Sequence, residues 1–322
     1  MANSEKISEE NQPQSDLMEA IQNKETPGKV RKMAEIIAAV NNLPVGLVEK
    51  DIWITYALRE IFSLPEAKHL VFKGGTCLVK AYCGYYRFSE DIDLTWANGK
   101  VREHAFRKAI IEKVRSQLGL EWDYHDKVKT GMAGTHSGGI MNYFFLTPKN
   151  GSTPSKLKIT VAFDEKLSFQ TERRKLRHIE VNREKERELV AMFDDVARAY
   201  FGPLEVPCYS LQEIGAEKIR AVLTRKLQPV RSRDLFDLYK MGGDNRLAKI
   251  APPDAVKAKL FSALKIPAYA AEYKRNIADL RNHLQQLAVQ AALDPVFIEK
   301  PDVEALKVFA EKLEKYIKSQ AL

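Results

Sequence analysis

His69-Leu70-Val71-Phe72-Lys73-Gly74-Gly75-Thr76-Cys77-Leu78, followed by Asp91-Ile92-Asp93-Leu94-Thr95-Trp96, is the stretch on which the reading of this chain turns. The apolar run from His69 to Lys73 has the length of a strand and ends in two glycines, after which Thr76 opens a segment of helical character, residues 77–82. The sequence therefore spells strand, glycine turn, helix N-terminus. Asp91 to Trp96 alternates polar and apolar residues as a half-buried strand does, which places both aspartates on one face.

Each half of this stretch suggests chemistry. A Gly-Gly-Thr at a strand-to-helix junction lets the backbone approach a phosphate, which meets free N–H groups and the positive end of the helix dipole, with the Thr76 hydroxyl as a further donor. Tight packing alone also accounts for such a turn. The pattern is neither a P-loop ending in Gly-Lys-Ser/Thr nor a dinucleotide fingerprint. Asp91 and Asp93 project side by side, repel each other, and together offer the oxygen ligands that a hard cation such as magnesium requires. A solvated edge strand is the alternative. Phosphoryl and nucleotidyl transfer need in-line positioning and charge neutralisation, which a glycine turn beside paired aspartates supplies.

Outward from there, residues 30–40 and 47–64 carry apolar residues at helical spacing, with Pro65 ending the second segment. Residues 1–27 are polar and read as a flexible tail. Residues 101–118 read as a helix, and 120–128, 140–146, 157–163 and 177–181 as strands, with a glycine-rich connection over 131–139. The charged stretch 172–188 reads as a solvated face or an exposed helix. Beyond Pro207 the strands stop, and Ser210-Leu211-Gln212-Glu213 is a capping box that opens a series of helical segments near Asp234, Asp254, Ala271 and Asp302. The expected class is α/β (α+β): a mixed sheet flanked by helices over 28–206, with a helical bundle over 207–322.

At 322 residues and 45% hydrophobic content the chain can bury a substantial core. It has no apolar run of the roughly 20 residues that span a bilayer and no secretory start, so a cytoplasmic location is expected. Three scattered cysteines without a Cys-x-x-Cys pair argue against a disulfide framework and a zinc site. The six histidines form no pair at ligand spacing, and no Gly-x-Ser-x-Gly nucleophile is present. A net charge of +8 suits a polyanionic partner such as nucleic acid or a nucleotide, and equally a soluble protein with a mildly basic surface.

Phe72-Lys73-Gly74-Gly75-Thr76-Cys77-Leu78 with Arg87-Phe88-Ser89-Glu90-Asp91-Ile92-Asp93-Leu94 resembles the AbiEii family of abortive-infection toxins, in the polymerase-beta-like nucleotidyltransferase superfamily. Val48-Glu49-Lys50-Asp51, Glu217-Lys218 and Arg233-Asp234-Leu235-Phe236-Asp237-Leu238 extend the likeness from Val48 to Tyr239. The resemblance implies a nucleotidyltransferase in which Asp91 and Asp93 bind Mg²⁺ and, with Lys218 and Asp234, form the catalytic set. It implies that Lys73, Gly74, Gly75, Thr76, Lys158 and Arg233 hold a nucleoside triphosphate. It also implies an RNA acceptor, the 3′ end of a tRNA, whose modification inhibits translation, and a cognate antitoxin. From the residues alone, Lys218 beside Glu217 also fits a surface lysine, and Asp234 and Asp237 fit surface pairing with Arg231 or Arg233.

One position departs from the superfamily, which places a third acid on a later strand where this chain has Lys158-Ile159-Thr160. Either two carboxylates suffice, or Asp164 or Asp234 substitutes. A transferase acting on a protein hydroxyl and a catalytically degenerate binding module are the rival expectations.

Overall fold

The computed structural model describes residues 26–97, 103–122, 132–136, 139–148, 156–163, 165–227, 232–242 and 246–320. Two antiparallel helices open it, α1 (Thr26–Asn41) and α2 (Val45–Ser63). α2 is buried on nearly every side, Trp53, Tyr56 and Ile61 included, so it acts as a core element and not as an amphipathic cover. Its Asp51 is matched inside the protein by the Lys80 ammonium at 2.9 Å and by the Tyr85 and Tyr200 hydroxyls.

The strands form one mixed sheet. In chain order they are β1 (Leu70–Lys73), β2 (Asp91–Trp96), β3 (Leu120–Trp122), β4 (Met132–His136), β5 (Gly139–Pro148), β6 (Leu157–Phe163), β7 (Glu172–Lys175) and β8 (Glu205–Cys208). The spatial order is β3-β5-β6-β2-β1-β8-β7, and β4 also pairs with β5. β1 runs antiparallel to β2 and parallel to β8, while β2 runs parallel to β6. Ile92 and Leu94 are buried on one face of β2 while Asp91 and Asp93 share the other, as the alternation predicts. α3 (Gly74–Cys77) follows β1 directly and continues as a π-helical turn, Leu78–Cys83. The helix expected over 101–118 is present as Glu103–Phe106, Arg107–Ile111 and Glu112–Gln117 in succession.

Two expectations are corrected. The strand expected over 177–181 is irregular chain, and the strand lies upstream as β7, inside the charged stretch. The reason is the destination of the backbone donors: Leu176 N–H bonds to Leu204, Arg177 N–H to Lys80 and Ile179 N–H to the Tyr200 hydroxyl, so no single partner strand collects them. The charged stretch is largely solvated as expected, with the edge strand β7 at its start and the exposed first turns of α4 (Arg183–Phe201), capped by Asn182, at its end. The connection expected over 131–139 contains β4, which pairs with β5 as a hairpin. Of the strand expected over 120–128, only β3 falls among the described residues, and of the expected tail only residues 26 and 27, which begin α1.

From Leu211 onward every described regular element is a helix: α5 (Leu211–Thr224), α6 (Ser232–Gly242), α7 (Leu247–Ile250), α8 (Pro253–Leu264), α9 (Pro267–Ala278), α10 (Leu280–Ala291) and α11 (Val303–Ser319). Ser210 caps α5 by accepting from Glu213 N–H at 3.2 Å. Only that half of the capping box forms, because the Glu213 carboxylate instead accepts from Ser168 and Phe169 N–H and meets Lys259 of α8. The chain before Asp91 packs on this helical part, with Phe88 N–H bonding to Val296 and Ile298 N–H to Tyr86.

Candidate active site

The antiparallel register of β1 and β2 sets Lys73 opposite Asp93. Gly74 then turns with φ +77°, and a Cβ on it would stand 2.2 Å from Asp93 Oδ2 and 2.9 Å from Asp93 Cβ and Cγ. Glycine is needed there twice over, for the left-handed backbone and for the carboxylate lying against it. Gly75 is overlaid by Arg87, whose Nη2 would meet a Cβ at 2.4 Å. The Thr76 hydroxyl donates its single hydrogen to the carbonyl of Asp91, which leaves Ser89 as donor in the 2.8 Å pair between the two hydroxyls. Thr76 therefore ties the glycine bend to the start of β2.

Asp91 is the more exposed of the two acids, and Lys158, its neighbour in β6, approaches it at 3.3 Å. Burial, and then the charge of Asp91 beside it, pushes the Asp93 carboxyl up, against the pull of Lys158, Lys73 and Lys218. Thr160 occupies the register position next to Asp93, and its buried hydroxyl has no hydrogen-bond partner. Asp164, the other position raised for a third acid, lies outside the described residues. Among the described residues no group of three or more His, Cys, Asp or Glu side chains is arranged to hold a metal ion.

The facing wall comes from α5 and α6. Lys218 Nζ lies 2.7 Å from Asp234 Oδ1 and 2.6 Å from Asp237 Oδ2, and Arg225 reaches Asp234 at 3.2 Å. Lys218 is buried rather than a surface lysine. Asp237 is fully buried and also accepts from the Tyr86 hydroxyl at 2.6 Å and from Arg87 Nε and Nη2 at 2.6 and 2.8 Å. Despite its burial, Arg87 and Lys218 hold its carboxyl well below the usual carboxylate range. The surface pairing expected for Asp234 and Asp237 is thus replaced by buried pairs with Lys218, Arg225 and Arg87. Arg233 turns away to clasp Asp294 at 2.7 and 3.2 Å, and Arg231 lies outside the described residues.

Beneath both walls is a buried charge network. Lys73 Nζ sits 2.5 Å from Glu165 and 3.4 Å from Glu217, and Lys259 bridges Glu165 at 2.9 Å and Glu213 at 2.7 Å. Burial opposes the charge on Lys73, but Glu165 and Glu217 outweigh it and raise the ammonium. Glu217 is pushed up by its own burial.

Between the walls lies a cavity of about 130 Å³ bordered by Lys73, Gly74, Gly75, Asp93, Lys218 and Asp234, together with Glu165, Glu217, Arg220 and Arg225. Six of the expected site residues meet there. Asp91 and Lys158 adjoin it through the strand pairing and Thr76 through its bond to the Asp91 carbonyl, and Arg233 does not border it. The residues missed in sequence are Glu165, Arg220 and Arg225, with Arg87, Asp237 and Lys259 behind them. A signal for Arg225 exists: Ile214, Glu217, Lys218 and Ala221 follow helical spacing on α5 and Arg225, at its C-terminal cap, continues the same stripe.

The family model described as "Nucleotidyl transferase AbiEii toxin, Type IV TA system" matches residues 56–315. The chain belongs to the AbiEii family. It is accordingly a nucleotidyltransferase of a type IV toxin–antitoxin family. Two solved structures are similar to this AbiEii chain, JHP933 from Helicobacter pylori and an H. pylori protein described as a candidate nucleotidyltransferase. Each is 16% identical with a TM-score of 0.46, the first covering 85% of this chain and 94% of its own, the second 86% and 98%. No curated protein matches the chain. No described helix is long and apolar enough to cross a membrane.

Proposed function

We propose that this protein transfers a nucleoside monophosphate from a nucleoside triphosphate to a hydroxyl of RNA, the 3′ end of a tRNA, and thereby stops translation until a cognate antitoxin neutralises it. The observation that carries the reading is the contact of Asp93 with Gly74, which brings that acid and the glycine bend after Lys73 to one cavity that Asp91 adjoins. In this reading Asp91 and Asp93 hold Mg²⁺. They suit it: the raised Asp93 carboxyl reflects burial and a like charge, both of which a cation relieves, and magnesium is commonly held by one or two carboxylates with substrate phosphates completing its shell. The ion, when bound, would neutralise phosphate charge and polarise the reacting phosphoryl group.

The chain's own residues do the rest. The amides of the bend at Gly74 and Gly75 receive phosphate oxygens, and Lys218, held in place by Asp234 and Asp237, supplies fixed positive charge on the opposite side. The acceptor oxygen bonds to the α-phosphorus as its proton passes to solvent, the bond from that phosphorus to the pyrophosphate group breaks, and pyrophosphate leaves. The unit over 28–206 contributes the bend and the acids, and that over 207–322 contributes the basic wall. The net charge of +8 supports a polyanionic acceptor, tRNA and phage defence rest on the family, and cytoplasmic action is the expectation drawn from the sequence.

The test is incubation with Mg²⁺, each of the four labelled nucleotides and total RNA or cell extract. Label is expected in RNA and is expected to fall at least about 100-fold in Asp93→Asn, as for loss of a principal transition-state electrostatic group. Label in protein instead would assign a side-chain hydroxyl as acceptor. Thr160, standing beside Asp93 where the superfamily carries an acid, favours the second reading of a binding module, which predicts no transfer from any nucleotide.

A further inference from the structure

Arg220 is a buried cation with guanidinium donors that lack hydrogen-bond acceptors. It is 6% exposed, it borders the cavity alongside Gly74, Gly75 and Asp93, and neither its Nε nor its Nη1 has a hydrogen-bond acceptor. The other described cations that border the cavity are matched: Lys73 by Glu165 and Glu217, Lys218 by Asp234 and Asp237, and Arg225 by Asp234. Buried guanidinium donors left unsatisfied are costly, and native interiors rarely tolerate them without a functional reason.

The surroundings indicate the sign and size of the missing partner. Burial, and then the nearby charge of Arg225, pushes the Arg220 guanidinium down to about 10, against the pull of Glu217, Asp234 and Glu165. It stays charged at neutral pH, and an added anion would relieve both effects. The volume of about 130 Å³ is well below the roughly 300–1,000 Å³ of pockets that enclose whole drug-sized ligands. It has room for phosphoryl groups and not for a base and ribose as well. A polynucleotide backbone would have to enter and leave such a cavity, whereas the tail of a triphosphate only enters.

We propose that Arg220 is a phosphate ligand, donating to the non-bridging oxygens of a nucleoside triphosphate tail across the cavity from Gly74 and Gly75. This rests on the reading of the site as one for nucleotides, but adds a residue that lies outside the sequence motifs described above. The Nε and Nη1 donors then find acceptors only while substrate or pyrophosphate is bound. The ligand-free protein therefore carries an electrostatic penalty that binding removes.

The experiment is calorimetric titration of inorganic pyrophosphate, a non-hydrolysable nucleoside triphosphate analogue and a short RNA into the full chain and its Arg220→Met and Arg220→Lys variants, with thermal unfolding of each without ligand. Arg220→Met is expected to weaken pyrophosphate and the analogue by about 10- to 100-fold, the range for losing a charge-assisted bond, and to leave RNA affinity unchanged. It is also expected to keep or raise the ligand-free melting temperature, which a structural arginine would not. Arg220→Lys is expected to recover part of the affinity. Unchanged pyrophosphate affinity in Arg220→Met, lost RNA affinity alone, or no pyrophosphate binding by the unaltered protein each overturn the proposal. Pyrophosphate binding through Arg220 with no label transferred to any acceptor would instead overturn the transferase reading and leave this one standing.

Discussion

Alanine at position 74 tests the geometry of the site most directly. Its methyl group would lie 2.2 Å from Asp93 Oδ2, where non-bonded atoms keep about 3.5 Å, so the carboxylate must retreat by roughly 1 Å. The φ of +77° adds a backbone cost of about 1–2 kcal/mol for an L-residue. A displacement of that size at a reacting centre costs about 100-fold in rate. Gly74→Ala should therefore lose about 100-fold in label transfer to RNA and melt at a lower temperature. Gly119→Ala separates the two effects, because Gly119 has φ +61° and nothing within 4 Å of its would-be Cβ. That variant should show the backbone cost alone, with transfer intact. A folded Gly74→Ala protein that transfers label as well as the unaltered chain would refute the argument that the contact between Asp93 and Gly74 sets the reacting geometry.

Asp237→Asn should destabilise the fold by about 3–5 kcal/mol in chemical denaturation, because it leaves the buried Arg87 and Lys218 short of their counter-charge. Glu60, buried and with Oε2 unpartnered, is pushed by desolvation from 4.5 to about 7, so the folded protein binds its proton more tightly than the unfolded chain does. Its contribution is therefore fully present below pH 4.5, declines as pH rises, and is gone above about 7. Glu60→Gln should flatten that part of the stability profile and at pH about 8 exceed the unaltered protein by up to about 3 kcal/mol, measured by denaturant midpoints across the range.

Local patterns were legible where the local rule and the global fold agree. The alternation in Asp91–Trp96, the glycines after Lys73 and the serine cap at Ser210 each reflect a constraint met within a few residues. Residues 177–181 misled because Leu176 and Ile179 are buried for packing while their backbone donors go to separate partners. The arginines near Asp234 show the same limit. On a helix, neighbours one apart point about 100° away from each other, so Arg233 reaches Asp294 and Arg225 arrives from the end of the preceding helix. The Lys73–Glu165 pair joins residues 92 positions apart, and no periodicity reports such a meeting.

The bond from Thr76 to the Asp91 carbonyl makes the glycine bend and the acidic strand a single jaw, since each is fastened to the other through both the sheet and this side chain. The opposing helices are fastened to the same jaw, since Lys73 pairs with Glu217 of α5 and Arg87 with Asp237 of α6, so the spacing between bend and acids is held from both sides.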